Sequence, residues 1–216
     1  MPETQLIVTV CLVASAALVA AEVRDSPPGR VLFKIVASTA FVVIAMQRDA
    51  MASSYGRLIL AALVLGWFGD VFLLSRQSRV FLLGLASFLL AHIVFSLAFA
   101  HRPLSTPALA AGFAVMSCVG ATVLAWLWRQ LSGIYRAAVA CYVAAIVAMC
   151  SFAIAMSAAT GAWIVAAGAL AFAASDISVA RDRFVAPGVI NRVWGLPLYY
   201  AAQTILALSV GGALQR

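Results

Sequence analysis

Long apolar runs separated by short polar connections divide the chain into eight segments. These runs are Leu6–Ala21, Val31–Met46, Leu58–Leu74, Val80–Phe99, Pro107–Trp128, Ile134–Ser157, Gly161–Ala180 and Val193–Leu214. A membrane-crossing helix needs about 20 mostly apolar residues. Because apolar and polar residues do not alternate within the runs, the pattern predicts helices and not the strands of a membrane barrel. No connection is long enough to hold a second domain, so we expect residues 1–216 to form one all-α membrane bundle of eight transmembrane helices.

The composition strengthens this interpretation. Hydrophobic residues make up 65% of the chain and charged residues 10%, and the mean hydropathy is +1.08, whereas a soluble domain has about 25% charged residues. These values exclude a disordered chain, a collagen, a coiled coil and a disulfide-framed secreted module. The four Cys lie inside the runs without a C-x-x-C pair, and the chain has two His and no glycine-rich phosphate loop. We therefore expect no metal and no cofactor.

The basic residues are unevenly distributed between the two ends of the runs. The connections after the first, third, fifth and seventh runs, with their flanking helix ends, carry ten of the 14: Arg24, Arg30, Lys34, Arg76, Arg79, Arg129, Arg136, Arg181, Arg183 and Arg192. The opposite face has Arg48, Arg57, Arg102 and Arg216. Because Lys and Arg collect on the cytoplasmic side, we expect both termini outside the cytoplasm. The net charge of +7 predicts attraction to anionic membrane lipids, and no basic domain predicts a nucleic-acid partner.

Two acidic residues, Asp70 and Asp176, lie inside predicted spans, where an ionisable group is costly and usually functional. Asp70 precedes Arg76 by about 9 Å of helical rise, and Asp176 precedes Arg181 by about 7–8 Å. Both spans run in the same direction, so the carboxyls are expected at similar depth in the cytoplasmic half of the membrane, facing one another across the bundle. The alternative interpretation is a structural ion pair with Lys34 or an Arg.

Five other polar residues fall at comparable or greater depth: Lys34, His92, Tyr199, Tyr200 and Gln203. Together with the two Asp, they are expected to line a funnel that opens at the inner face. Each also has a structural interpretation. Lys34 would extend to the interface, the two Tyr would be interfacial aromatics, Gln203 would join helices, and His92 would bond a neighbouring carbonyl in the core.

Four short motifs resemble those of the YhhN family. Gly69-Asp70-Val71-Phe72-Leu73 resembles its G-D-x-x-L segment, and Phe88–His92 resembles its F-L-x-A-H segment. Ser175-Asp176 resembles its S-D pair, and Tyr199–Gln203 resembles its Y-Y-x-A-Q segment. The order and spacing of these motifs fit the family over roughly residues 30–205.

The resemblance implies an activity, because the YhhN family contains eight-span lysoplasmalogenases. These enzymes hydrolyse the vinyl ether of lysoplasmenyl-ethanolamine or lysoplasmenyl-choline to a fatty aldehyde and a glycerophospho-alcohol. The resemblance also implies that Asp70 and Asp176 are the essential acids. We expect one protonated and one ionised carboxyl, the division used by glycosidases. The other five polar residues would bind a lysophospholipid substrate in a bacterial inner (plasma) membrane.

Two other functions remain open at this point. A proton-coupled transporter of a small amphiphile would also place Asp, His and Lys inside the membrane. A hydrolase of another lysolipid would use a similar site. The sequence indicates neither which Asp is the acid nor the oligomeric state.

Overall fold

The computed structural model describes residues 2–75 and 77–211, and eight α-helices account for most of them. They are α1 (Pro2–Val23), α2 (Pro27–Gln47), α3 (Ser54–Phe72), α4 (Ser78–Ala100), α5 (Thr106–Trp128), α6 (Ile134–Thr160), α7 (Trp163–Ala180) and α8 (Val189–Leu208). A 3₁₀ turn, Ala50–Ala52, precedes α3, and a π-helical turn, Arg181–Val185, follows α7. Arg76, Leu214 and Arg216 lie outside the described residues.

The predicted helical membrane bundle is confirmed. Of the helices in the described part of the chain, α1 to α7 are long and apolar enough to cross a membrane, as judged by their length and composition. The chain is therefore an integral membrane protein. Helix α8 is 20 residues long but less apolar, and it begins at Val189, four residues before the predicted start at Val193. That α8 also crosses the membrane stays a prediction.

Local sequence signals explain where several helices begin and end. Pro27 and Pro28 occupy the first turn of α2, where a missing N–H costs nothing. The Ser53 side chain accepts a hydrogen bond from the Gly56 amide at 3.0 Å and caps α3. Helix α6 ends at Gly161, whose φ of 78° is the left-handed conformation that glycine adopts without strain.

Helix α8 occupies the centre of the bundle, packed against α7, α1, α2 and α3, whereas α5 packs mainly on α6 at the periphery. Two glycines permit close contacts between neighbouring helices. A Cβ on Gly69 would lie 2.6 Å from the Phe88 ring, and one on Gly195 would overlap the Ser178 hydroxyl. At these positions α3 packs against α4, and α8 packs against α7.

The four cysteines differ in burial, although all of them lie within apolar runs. Cys11 and Cys150 are buried, as expected of small hydrophobic side chains. Cys118 and Cys141 are exposed on the outer surfaces of α5 and α6. The difference follows from the peripheral position of α5, which leaves much of its surface and part of α6 outside the core.

Candidate functional site

A cavity of about 860 Å³ extends into the bundle from one end. Its outer part is lined by charged side chains near the α1–α2 and α7–α8 connections, including Glu22, Arg30 and Arg192. Its inner part is lined by Asp70 of α3 and Asp176 of α7, with apolar residues between. The opening lies on the face that the basic residues predict to be cytoplasmic. The two carboxyls expected to work together therefore share one cavity.

Asp70 is surrounded by three donors. The Lys34 ammonium lies 3.2 Å from Oδ1, the Ser38 hydroxyl donates to Oδ2 at 2.7 Å, and the Tyr199 hydroxyl donates to Oδ2 at 2.8 Å. The side chain of Asp70 is 3% exposed and that of Lys34 is 10% exposed. A buried carboxylate is stable only when its charge is paired and its oxygens are hydrogen-bonded, and this carboxyl meets both conditions.

Asp176 has a different environment. The Tyr142 hydroxyl donates to Oδ1 at 3.1 Å, and Nε2 of His92 lies 3.1 Å from Oδ2. The second contact is short, but its atoms are not aligned for a hydrogen bond. Among the described residues, no Lys or Arg lies within ion-pair distance of Asp176. Its side chain is 13% exposed, and it is open to the cavity.

An aromatic wall connects the two carboxyl environments, and we define it as Phe88, His92, Phe172 and Tyr199. The Phe172 ring stacks on His92 with centroids 4.4 Å apart, and it also packs against Tyr199 at 5.5 Å and Phe88 at 6.2 Å. Phe88 meets Tyr199 edge to face at 5.8 Å. These contacts fix the donor to Asp70 and the partner of Asp176 in one packed unit.

The mouth of the cavity contains linked ion pairs. Oε2 of Glu22 lies 3.4 Å from Nε of Arg30 and 2.8 Å from Nη1 of Arg192. Arg192 also approaches Asp182, with Nε 3.4 Å from Oδ2. Partial burial lowers the pKa of Arg192, but hydrogen bonds and charges from Glu22 and Asp182 outweigh this effect and raise it above its usual value. Arg192 therefore stays charged, and Glu22 holds both guanidinium groups beside the opening.

The model of the YhhN family matches residues 29–210. The chain belongs to the YhhN family. The matched range contains Asp70, Asp176 and every residue of the aromatic wall, whereas Glu22 precedes it. No solved structure matches the chain.

The residues singled out from the sequence occupy different places in this YhhN-family fold. Lys34 and Tyr199 line the cavity and contact Asp70, so Lys34 is buried and does not extend to the interface. Tyr200 is fully buried, 3.2 Å from the Ser38 hydroxyl. Gln203 is also fully buried, and neither of its amide atoms has a hydrogen-bond partner among the described residues. His92 bonds the Phe88 carbonyl, as its structural interpretation proposed, and also faces Asp176.

Two residues of the YhhN-family site were missed. Ser38 lies four residues after Lys34 and therefore on the same helix face, which was a usable signal. Tyr142 lies alone in an apolar run, and nothing in its neighbourhood in the sequence distinguishes it from a packing residue. Within residues 2–75 and 77–211, no cluster of three or more His, Cys, Asp or Glu side chains is arranged to hold a metal ion.

Proposed function

We propose that this protein hydrolyses the vinyl ether bond of lysoplasmalogens, with Asp70 and Asp176 as the reacting acids. The observation that carries the proposal is that both carboxyls line one cavity while having different partners. One carboxyl has an ammonium and two hydroxyl donors, and the other has a hydroxyl and an imidazole. Acid–base catalysis by two carboxyls requires such a difference between their environments.

Vinyl ether hydrolysis needs this division of roles. A proton adds to the β-carbon of the alkenyl chain, which leaves an oxocarbenium ion at the carbon bound to oxygen. A carboxylate stabilises that cation, and the acid that the first step left ionised accepts a proton from the attacking water. The hemiacetal then releases the aldehyde and the glycerol hydroxyl. The first step needs a protonated acid, and the second needs an ionised base.

The cavity supports a single-chain phospholipid as substrate. Its volume of about 860 Å³ falls within the range of small-molecule sites, about 300–1,000 Å³. In the proposed binding mode, Arg30 and Arg192 at the mouth contact the phosphate, since guanidinium groups suit phosphate oxygens. Lys34 is buried beside Asp70 in the inner part of the cavity, whereas the two arginines lie at its mouth, so we assign the expected phosphate contact to the arginines. The vinyl ether, one glycerol unit from the phosphate, would then reach the carboxyls.

The direct test is release of fatty aldehyde. Purified protein in nanodiscs is incubated with lysoplasmenyl-ethanolamine, and the aldehyde is quantified by mass spectrometry. Matched lysolipids with an acyl ester or a saturated alkyl ether serve as controls, because neither can be protonated on carbon to an oxocarbenium ion. We expect aldehyde from the vinyl ether lipid alone. Equal cleavage of the acyl lipid would favour a hydrolase of another lysolipid.

Substitution of the acids tests the site. We expect Asp176→Asn and Asp70→Asn each to lower kcat by about 10²–10⁴-fold, because an amide can neither transfer a proton nor stabilise a cation by a negative charge. The double variant should be little worse than either single one, since groups that act as a unit are not additive. Asp49→Asn is the matched control: Asp49 is exposed, and its φ of 57° suits Asn equally well. Full activity in both site variants would exclude the acid–base mechanism.

The transporter alternative predicts a different result. A proton-coupled carrier would release no aldehyde, and it would accumulate an amphiphile in proteoliposomes when a pH gradient is imposed. Finding uptake without hydrolysis would replace the proposed enzyme activity.

A further inference from the structure

The two carboxyls differ in their surroundings, and that difference assigns their roles in the proposed reaction. We infer that the His92–Asp176 pair holds the proton that Asp176 delivers to the substrate, while Asp70 stays ionised and stabilises the cationic intermediate. The inference rests on the proposed function for its chemistry. The position of the proton is argued only from the contacts of His92 and Asp176.

Asp70 has the environment of a carboxylate. Lys34, Ser38 and Tyr199 all direct donors at its oxygens, within 2.7–3.2 Å. Protonating Asp70 would leave the Lys34 ammonium buried without its counter-charge, which is costly in a site this dry. The Lys34–Asp70 pair has no net charge, so burial favours the ion pair of ammonium and carboxylate over a state with a single unpaired charge.

His92 is restricted by its own helix. Nδ1 lies 2.6 Å from the carbonyl oxygen of Phe88, one helical turn earlier. A carbonyl oxygen only accepts hydrogen bonds, so Nδ1 must carry the hydrogen. In the neutral ring, the other nitrogen, Nε2, is then a bare acceptor. Turning the ring over to exchange the two nitrogens would break this bond.

Nε2 of His92 faces an oxygen of Asp176 at 3.1 Å in a buried setting. Two bare acceptors at that distance repel each other, because both atoms carry negative partial charge and the buried setting screens it weakly. One proton between them removes the repulsion, either as imidazolium with carboxylate or as neutral imidazole with carboxylic acid. In both forms the pair has no net charge, which matches the neutral Lys34–Asp70 pair across the cavity.

The other ionisable groups around this pair come from the neighbouring helices. Tyr142 of α6 donates to Asp176, and Cys150 of α6 and Tyr199 of α8 are close enough to sense its charge. Each of these groups is neutral in its ordinary state. None of them supplies a positive charge that would remove the repulsion between His92 and Asp176 in place of the proton. The pair is therefore the proton-holding group that borders the cavity on this side.

The proposed step balances without any other reactant. The proton leaves the pair through the Asp176 carboxyl and forms a C–H bond with the β-carbon, using the π electrons of the vinyl ether. Water then forms a C–O bond with the oxocarbenium carbon, and one of its protons returns to the pair. When the hemiacetal C–O bond breaks, its hydroxyl proton leaves and the glycerol oxygen takes up a proton. His92 does not line the cavity, so it acts through Asp176 as a positioning residue.

Spectroscopy of the unmodified protein tests the proton directly. The chain has two His, and His101 forms the same bond from Nδ1 to the carbonyl four residues earlier, at 2.7 Å, but is exposed. Ring ¹⁵N NMR of detergent-solubilised protein at neutral pH should show His92 as an imidazolium. Alternatively, it should show the Nδ1–H tautomer together with an infrared band of a protonated carboxyl that Asp176→Asn removes. An Nε2–H tautomer, or the Nδ1–H tautomer without that band, overturns the inference.

A kinetic test separates positioning from simple packing. His92→Gln keeps a polar group near the carboxyl but cannot carry the proton. We expect kcat to fall by about 10²-fold and the high-pH limb of kcat/KM to move to lower pH, because Asp176 alone holds its proton less firmly than the pair does. His101→Gln should change neither. An unchanged limb in His92→Gln would contradict the inference, and if that variant does not fold, the spectra of the unmodified protein decide.

The two proposals fail in different ways. If the unmodified protein releases no aldehyde, the proposed function is wrong whatever the spectra show. If it releases aldehyde while the spectra place no proton on the pair, the enzyme assignment stands and the assignment of the acid is wrong.

Discussion

Removing the Lys34 ammonium should destabilise the protein more than most single substitutions do, and a second change should reverse the loss. Lys34→Met keeps a flexible side chain of similar length and removes the positive charge. The Asp70 carboxylate is then left buried, with only the Ser38 and Tyr199 hydroxyls as donors. Adding Asp70→Asn to the same protein removes the remaining charge and keeps an acceptor for both hydroxyls.

The magnitude follows from how little water reaches the pair. With side-chain exposures of 10% and 3%, solvent screens the interaction weakly. Breaking a buried ion pair by removing one partner costs about 3–5 kcal/mol, whereas replacing both partners is often close to neutral. We expect Lys34→Met and Asp70→Asn each to lower the free energy of unfolding by that amount. The double variant should recover most of the loss, so the coupling energy should approach the sum of the two single losses.

The assay is unfolding of the protein in mixed micelles by titration with sodium dodecyl sulfate, monitored by circular dichroism. Aldehyde release is measured on the same samples. The double variant should be well folded and inactive, which separates the structural role of the pair from its chemical role. If Lys34→Met is as stable as the unmodified protein, or if the double variant is less stable than both single ones, the buried-pair reasoning is refuted.

Three further expectations follow from other parts of the structure. Gly69→Ala should lower the free energy of unfolding, because its Cβ would meet the Phe88 ring at 2.6 Å. Gly188→Ala should have little effect, because nothing lies within 4 Å of its Cβ. The micelle titration measures both variants, and equal effects would contradict this reasoning. Arg192→Gln should raise KM for the lysolipid more than it lowers kcat. Arg57→Gln, on the opposite face, should leave KM unchanged. If Arg192→Gln lowered kcat without changing KM, that result would argue against contact between Arg192 and the phosphate. Reporter fusions to the C-terminus should report a location outside the cytoplasm, and a cytoplasmic signal would reverse the predicted orientation.

The sequence predicted the architecture well because the membrane restricts the choices. Long apolar runs can form only helices or barrels in lipid, so the number and order of helices followed from the runs. Depth along each helix followed from the rise per residue, and it placed Asp70, Asp176 and Lys34 in one layer. These quantities depend only on position along the chain.

What the sequence could not predict depends on how each helix is rotated about its axis. Depth alone does not say which Asp receives Lys34, and no feature of the sequence indicated that Tyr142 would donate to Asp176. The start of α8 was also misplaced. Asn191 is buried there because its side-chain amide donates to Asp182 and to the Ala186 carbonyl, and these tertiary bonds outweigh the polarity that had placed the residue outside the predicted span.

The aromatic wall has a consequence for how this site can change over evolutionary time. Phe172 contacts both His92 and Tyr199, so its size helps to set the spacing between the two acids. A smaller residue there would disturb both acid environments in a single step. The site is therefore expected to diversify through its apolar lining and its mouth, where substrates of different chain length and head group can be accommodated one contact at a time.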